Sequence, residues 1–274
     1  KLGTRSMASA EADFQDAVAY PVVLDGGFKR VVEIVLNTSR LYNAIASCGM
    51  LRRVQVEAES YAAHRAAFGR PIAQFPLVQR SLQRLRTQAE AAVAGTFALA
   101  ALGDRITLGQ GSDADRALYR LVVNMNKYWT SFQGTSMCRE GIEVLGGNGA
   151  IEDFSVIPRL LRDSIVCEQW EGTHNVLCAQ VLKDLHKYAL HKAFFAHADA
   201  VIAAAGAHPQ AGPLAQRVAL DRARVNALLA LPPAEASLAV RDAVDALAVT
   251  WQAVCLLELA AAGVQTPSLE RLLG

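Results

Sequence analysis

The chain has 274 residues, of which 52% are hydrophobic, enough apolar material for one large core or two smaller ones. A net charge of +1 leaves no electrostatic footprint for a nucleic acid or an anionic membrane. Five cysteines form no CxxC pair and no metal-ligand spacing, and there is neither a secretory signal nor an apolar run of about 18 residues. The expected setting is therefore cytoplasmic, with no membrane span and with buried thiols.

The first twenty residues differ from the rest. Lys1-Leu2-Gly3-Thr4-Arg5-Ser6 leads into Ala12-Asp13-Phe14-Gln15-Asp16-Ala17-Val18, partly alternating in the manner of strands, before Tyr20-Pro21 and Gly26-Gly27 punctuate the chain. One or two strands form no stable sheet alone, so residues 1–24 are expected to be the remnant of a β-domain, cut within it. From Phe28 onward Val31, Val32, Val35, Leu36, Tyr42 and Ala46 recur at three- and four-residue spacing, which predicts a helix to about Phe68, stopped by Gly69 and Pro71. A second helix is predicted from about Pro76 to Thr107. Ser112 or Asp113 caps a third that reaches Val144 and is closed by Gly146 to Gly149. A short fourth lies near Ile157 to Val166, and a fifth spans Thr173 to about Ala205. His208 to Pro213 is the clearest internal boundary. Two Ala-rich helices follow, about Leu214 to Leu231 and Ala234 to Ala262, separated by Pro232-Pro233. The region after Leu182 holds eight basic and eight acidic side chains, so it is as neutral as the rest.

Three places could carry chemistry. Glu171, in Trp170-Glu171-Gly172-Thr173, suits a general base: an apolar wall such as Trp170 desolvates the carboxylate, and Gly172 lets a backbone or a flat ligand approach. Read alone, the same four residues are equally a Thr173 helix cap behind an exposed glutamate. Gly146-Gly147-Asn148-Gly149 could offer backbone amides to a phosphate or ribose, or be a plain helix end; it is no GxGxxG fingerprint. Arg65 to Gly69 offers a guanidinium for pyrophosphate and, in Phe68, an aromatic face for a ring, or an ordinary basic helix end. His186, His191 and His197 fall on different helix faces, so no metal site is expected.

Taken in order, Arg65 to Ile72, Gly146 to Gly149, Arg159-Leu160-Leu161-Arg162-Asp163 and Glu171-Gly172-Thr173 resemble the C-terminal part of the flavin-dependent acyl-CoA dehydrogenases. The likeness covers residues 1 to about 190. It implies an all-α helical bundle over residues 25–190, the β-domain remnant at 1–24 and an additional helical extension at 191–274. It also implies FAD as cofactor. Arg65 and Phe68 would contact FAD bound mainly by a neighbouring subunit, and Gly146 and Gly147 would approach its ADP part. Thr173 and Asn175 would contact FAD in their own subunit. Arg40, with Gly172, would lie at the acyl-CoA site. Glu171 would take the pro-R α-proton while hydride leaves the β-carbon for flavin N5. Ser39 is not acidic, so the variant that places the base on the first helix is not supported.

Pro76, Glu143 and Ala150 depart from residues common in the family. Gln74-Phe75-Pro76-Leu77 and the long tail look like the alkylation-response branch. The expected reaction is α,β-dehydrogenation of an acyl-CoA, with an electron-transfer flavoprotein as acceptor and a homodimer or homotetramer as assembly. Two alternatives stand beside it. One is an alkylation-response-type flavoprotein that mainly binds acyl chains or DNA, although the neutral tail argues against DNA. The other is a non-catalytic helical subunit that completes a partner's FAD site.

Overall fold

The computed structural model describes residues 1–22 and 24–274, apart from the side chains of residues 28 and 33. Helices dominate. Gly27–Arg30 is α-helical, Val31–Leu36 is a π-helix and Asn37–His64 is α-helical again, running on without a break as helix α1 (27–64). It ends at Arg65, four residues before the predicted stop, because Ala66–Ala67 and Arg70–Pro71 pair as a minimal antiparallel hairpin, β1 and β2. Pro76–Thr107 forms α2, as predicted, with Pro76 in the first turn where its missing N–H costs nothing. Asp113–Leu145 forms α3. The Ser112 hydroxyl accepts from the Asp115 amide and the Asp115 carboxylate accepts from the Ser112 amide, a full capping box.

Helix α4 is Ile157–Gln169. The predicted fifth helix is two, α5 (His174–Tyr188) and α6 (His191–Ala205), because Ala189 takes a left-handed conformation with φ 51°. Helices α7 (Ala211–Ala230), α8 (Pro233–Ala261) and the short α9 (Ser268–Leu273), which sequence periodicity did not indicate, complete the chain. The alternating stretch at 12–18 forms no strand: among the described residues the two strands are β1 and β2, which pair with each other. Instead residues 3 and 4 lie on α4. The Thr4 amide donates to the Asp163 carboxylate at 2.6 Å, and Gly3 sits so close to the Arg162 carbonyl that a Cβ would come within 2.3 Å.

Helices α2 and α3 run through two cores. Their sides facing α1 and α4 pack around Leu51, Val54, Leu85, Met137 and Ile157. Elsewhere they share a larger core with α5 to α9, built around Leu99, Leu121, Met125, Phe194, Val225 and Trp251. The Trp251 indole N–H donates to the Gly95 carbonyl across the α2–α8 contact at 3.0 Å. Among the described residues α8 alone is long and apolar enough to cross a membrane, but most of it is buried as a core helix of this fold.

Candidate functional site

The site is built where α4 stops. Its last carbonyls lack intrahelical partners, and the chain then crosses to α5 through Trp170, Glu171, Gly172 and Thr173. Glu171 and Gly172 both have positive φ, 54° and 111°. Glycine accepts this readily; glutamate does so at a cost of about 1 kcal/mol or more, so the surroundings must impose it.

Three buried side chains do so. Asn43 on α1 donates to the Cys167 carbonyl at 3.0 Å and to the Glu171 carboxylate at 3.1 Å. Arg40, one turn earlier and 9% exposed, donates from Nε to the Glu171 carbonyl at 3.1 Å. Lys127, in the middle of α3 and fully buried, donates to the Glu168 carbonyl at 3.0 Å and to the Gly172 carbonyl at 2.9 Å. Burial pushes the Lys127 ammonium down to about 8, against the pull of Glu171, and also lowers Arg40. Cations at a helix C-terminus are favourably placed against its dipole.

Behind the turn a second polar group reaches in from α8. Tyr128 donates to Asp245 at 2.5 Å, and Arg241 donates to the Tyr128 hydroxyl at 3.2 Å. The Arg241 guanidinium also lies 3.5 Å from His174 Nδ1. Because arginine can only donate, Nδ1 accepts and the His174 proton sits on Nε2, facing Glu168 at 3.6 Å.

The predicted site residues fall into two groups. Glu171, Gly172, Thr173 and Asn175 stand together at the α4–α5 crossing with Arg40 against the turn; Thr173 caps α5 by backbone geometry only, and it and Asn175 are exposed. Arg65, Gly146 and Gly147 line a cavity of about 420 Å³ with Tyr61, Glu143 and Asn148. Gly146 has φ 63°, nothing lies within 4 Å of where a Cβ on either glycine would be, and Asn148 ties the turn to the Tyr61 hydroxyl at 3.1 Å. Phe68, at the hairpin tip with φ 51°, is 96% exposed and meets only the edge of Phe75. Asn43 and Lys127 were not foreseen. Their one visible signal is Lys127 itself, a lone cation in the run Leu121 to Trp129 with no acidic residue three or four positions away.

A further cavity of about 1000 Å³ opens beside Arg40, with Val32, Leu41, Ile45, Ile106 and Tyr119 among its walls and Arg120 and Asp184 at its polar end. Asp184 is fully buried and is held by Arg120 at 2.8 Å and Gln180 at 3.1 Å.

Residues 25–186 match the family model for the acyl-CoA dehydrogenase C-terminal domain. The chain belongs to that family. It is 34% identical over 183 residues to acyl-CoA dehydrogenase family member 11 of Caenorhabditis elegans, covering 67% of this chain and 30% of that protein. It is 38% identical over 190 residues to the putative acyl-CoA dehydrogenase AidB of Escherichia coli, covering 69% and 34%. These likenesses agree with the alkylation-response character of its sequence. The chain spans about a third of the length of these curated relatives. The crystal structure of Caenorhabditis elegans ACDH-11 in complex with C11-CoA superimposes with a TM-score of 0.76 at 26% identity, over 87% of this chain and 42% of that one. Residues 1–190 make up only about 69% of the 274, so part of the helical extension has a counterpart there.

Proposed function

We propose that this chain carries the helical half of the active site of an FAD-dependent acyl-CoA dehydrogenase, with Glu171 as the base. The domains are the helical domain 25–190 and the helical extension 191–274. The observation that carries the reading is the Glu171 turn: a left-handed backbone whose carboxylate accepts from Asn43 and whose carbonyl accepts from Arg40, with Arg40 also lining the cavity of about 1000 Å³. Asn43 donates to the carboxylate and so fixes where it points, which a base that takes a proton from carbon requires. Substrate acyl-CoA binds at the Arg40 side, with Gly172 beside the thioester.

The cavity around Arg65, Gly146 and Gly147 fits the ADP part of FAD. Its guanidinium suits the pyrophosphate, and the Glu143 carboxylate in the same wall suits hydroxyl or amino donors of an adenosine. Thr173 and Asn175, exposed beside Glu171, are placed to touch the flavin side. FAD, when bound, supplies the hydride acceptor. The exposed Phe68 and Arg65 serve a neighbouring subunit's FAD in a homodimer or homotetramer, and an electron-transfer flavoprotein takes the electrons onward. The test is anaerobic bleaching of the flavin-loaded enzyme by an acyl-CoA. Glu171→Gln should abolish bleaching while leaving the flavin bound; bleaching at the normal rate would show that another group is the base.

A further inference from the structure

A fully buried lysine needs a reason. An ammonium removed from water costs several kcal/mol, and an apolar side chain of the same length would fill the space without that penalty. Lys127 is fully buried in the middle of α3, amid a packed helix face. Its ammonium donates to two backbone carbonyls, Glu168 at 3.0 Å and Gly172 at 2.9 Å. One is an orphan carbonyl of the α4 terminus and the other closes the far side of Glu171. The ammonium therefore spans the base like a staple. It joins a rigid helix end to the residue just beyond a strained φ, and Arg40 holds the Glu171 carbonyl from the side of α1.

We propose that Lys127 is a positioning residue for the Glu171 base, fixing the Glu171-Gly172 backbone in its left-handed conformation and so aiming the carboxylate. The inference rests on the reading of Glu171 as base. Asn43 contacts the carboxylate itself, whereas Lys127 acts on it through the carbonyls of Glu168 and Gly172, which bracket Glu171. The charge also matters. Ion–dipole bonds from an ammonium are roughly twice as strong as those from a neutral donor, and the lowered proton affinity of Lys127 stays above neutrality, so the group is charged at pH 7. The ionisable and charged groups facing it are Glu171, Cys167, Arg40, Glu168 and His174.

The test uses the flavin-loaded enzyme with Lys127→Met, which keeps the length and removes the donor. Losing two charge-assisted bonds to the turn should slow flavin reduction by acyl-CoA roughly tenfold or more, with acyl-CoA affinity changed only about twofold. Amide hydrogen exchange at Trp170 and Leu177, whose N–H groups bond the Val166 and Thr173 carbonyls at the two ends of the turn, should quicken roughly tenfold, while exchange in α8 stays as it was. Lys127→Gln, which restores a neutral donor, should recover part of both effects, and it takes over the test if the methionine variant does not fold. Unchanged exchange at these two amides overturns the proposal, whatever happens to the rate. So does quickened exchange with an unchanged reduction rate. Glu171→Gln in the same assay keeps the two readings apart: normal bleaching in that variant sinks the base, while exchange at Trp170 and Leu177 still reports on Lys127.

Discussion

His174 should make the fold acid-sensitive in a window set by one side chain. Its imidazole is 12% exposed, packed edge-on against Tyr128 at 4.9 Å between ring centroids, with the Arg241 guanidinium against Nδ1. Burial first, then the positive charges of Lys127 and Arg241, lower its pKa to about 4 from 6.5. The unfolded chain therefore takes up a proton that the folded one refuses as pH falls from 6.5 to 4, and stability is lost over that interval. Between about pH 7.5 and about pH 4.5 the loss from this group is about 2.5 kcal/mol. Urea unfolding at both values, on the chain and on His174→Phe, isolates it. Glu168 and Asp245, both raised by burial, titrate in both proteins and largely cancel in the difference. The phenylalanine variant should lose about 2.5 kcal/mol less than the parent on acidification. Equal losses would refute the reasoning. A smaller loss in the parent would mean that the histidinium pairs with Glu168 and is favoured by the fold.

Three other outcomes are expected. Arg120→Ala should cost about 3 kcal/mol or more in urea unfolding, because it strips the main partner from the fully buried Asp184, while Asp184→Asn should cost clearly less since Arg120 is already half in water. Gly141→Ala would drive a Cβ to 2.5 Å from Val54 Cγ1 where α1 crosses α3, so it should destabilise by about 1–3 kcal/mol, and Val54→Ala should relieve much of that in a double-mutant cycle. All five cysteines are buried and their thiols are pushed up, Cys48 and Cys167 to about 11 and Cys138 to about 12. A thiol reagent near pH 8 should label none of them in the native chain and all five after unfolding, and rapid native labelling would contradict the packing.

What could be seen in the sequence was what local chemistry decides. Pro76 and Ser112 mark the starts of α2 and α3 and both were visible as residue types, whereas the return bond from Asp115 that completes the box came with the structure. The break at Ala189 was not visible, since no glycine marks its left-handed backbone, and both helices it separates pack into the same core. The π-helical stretch Val31–Leu36 leaves no mark in an apolar run either. Within the site, Glu171 and the glycine turns announce themselves by motif. Asn43 and Lys127 do not, because their partners are carbonyls more than forty residues away in the chain, and any side chain can face such a carbonyl.

Helix α3 is buried on almost every side, and the walls that bury it come from both ends of the chain: α1 and α4 on one flank, α6 and α8 on another. The 25–186 stretch that matches the family therefore shares its larger core with the helices that follow it, and Tyr128, neighbour of the buried Lys127, takes its Asp245 partner from α8. A substitution at Asp245 thus touches α3 one residue from the lysine that holds the Gly172 carbonyl, so the tail and the Glu171 turn are joined by two consecutive side chains of one helix.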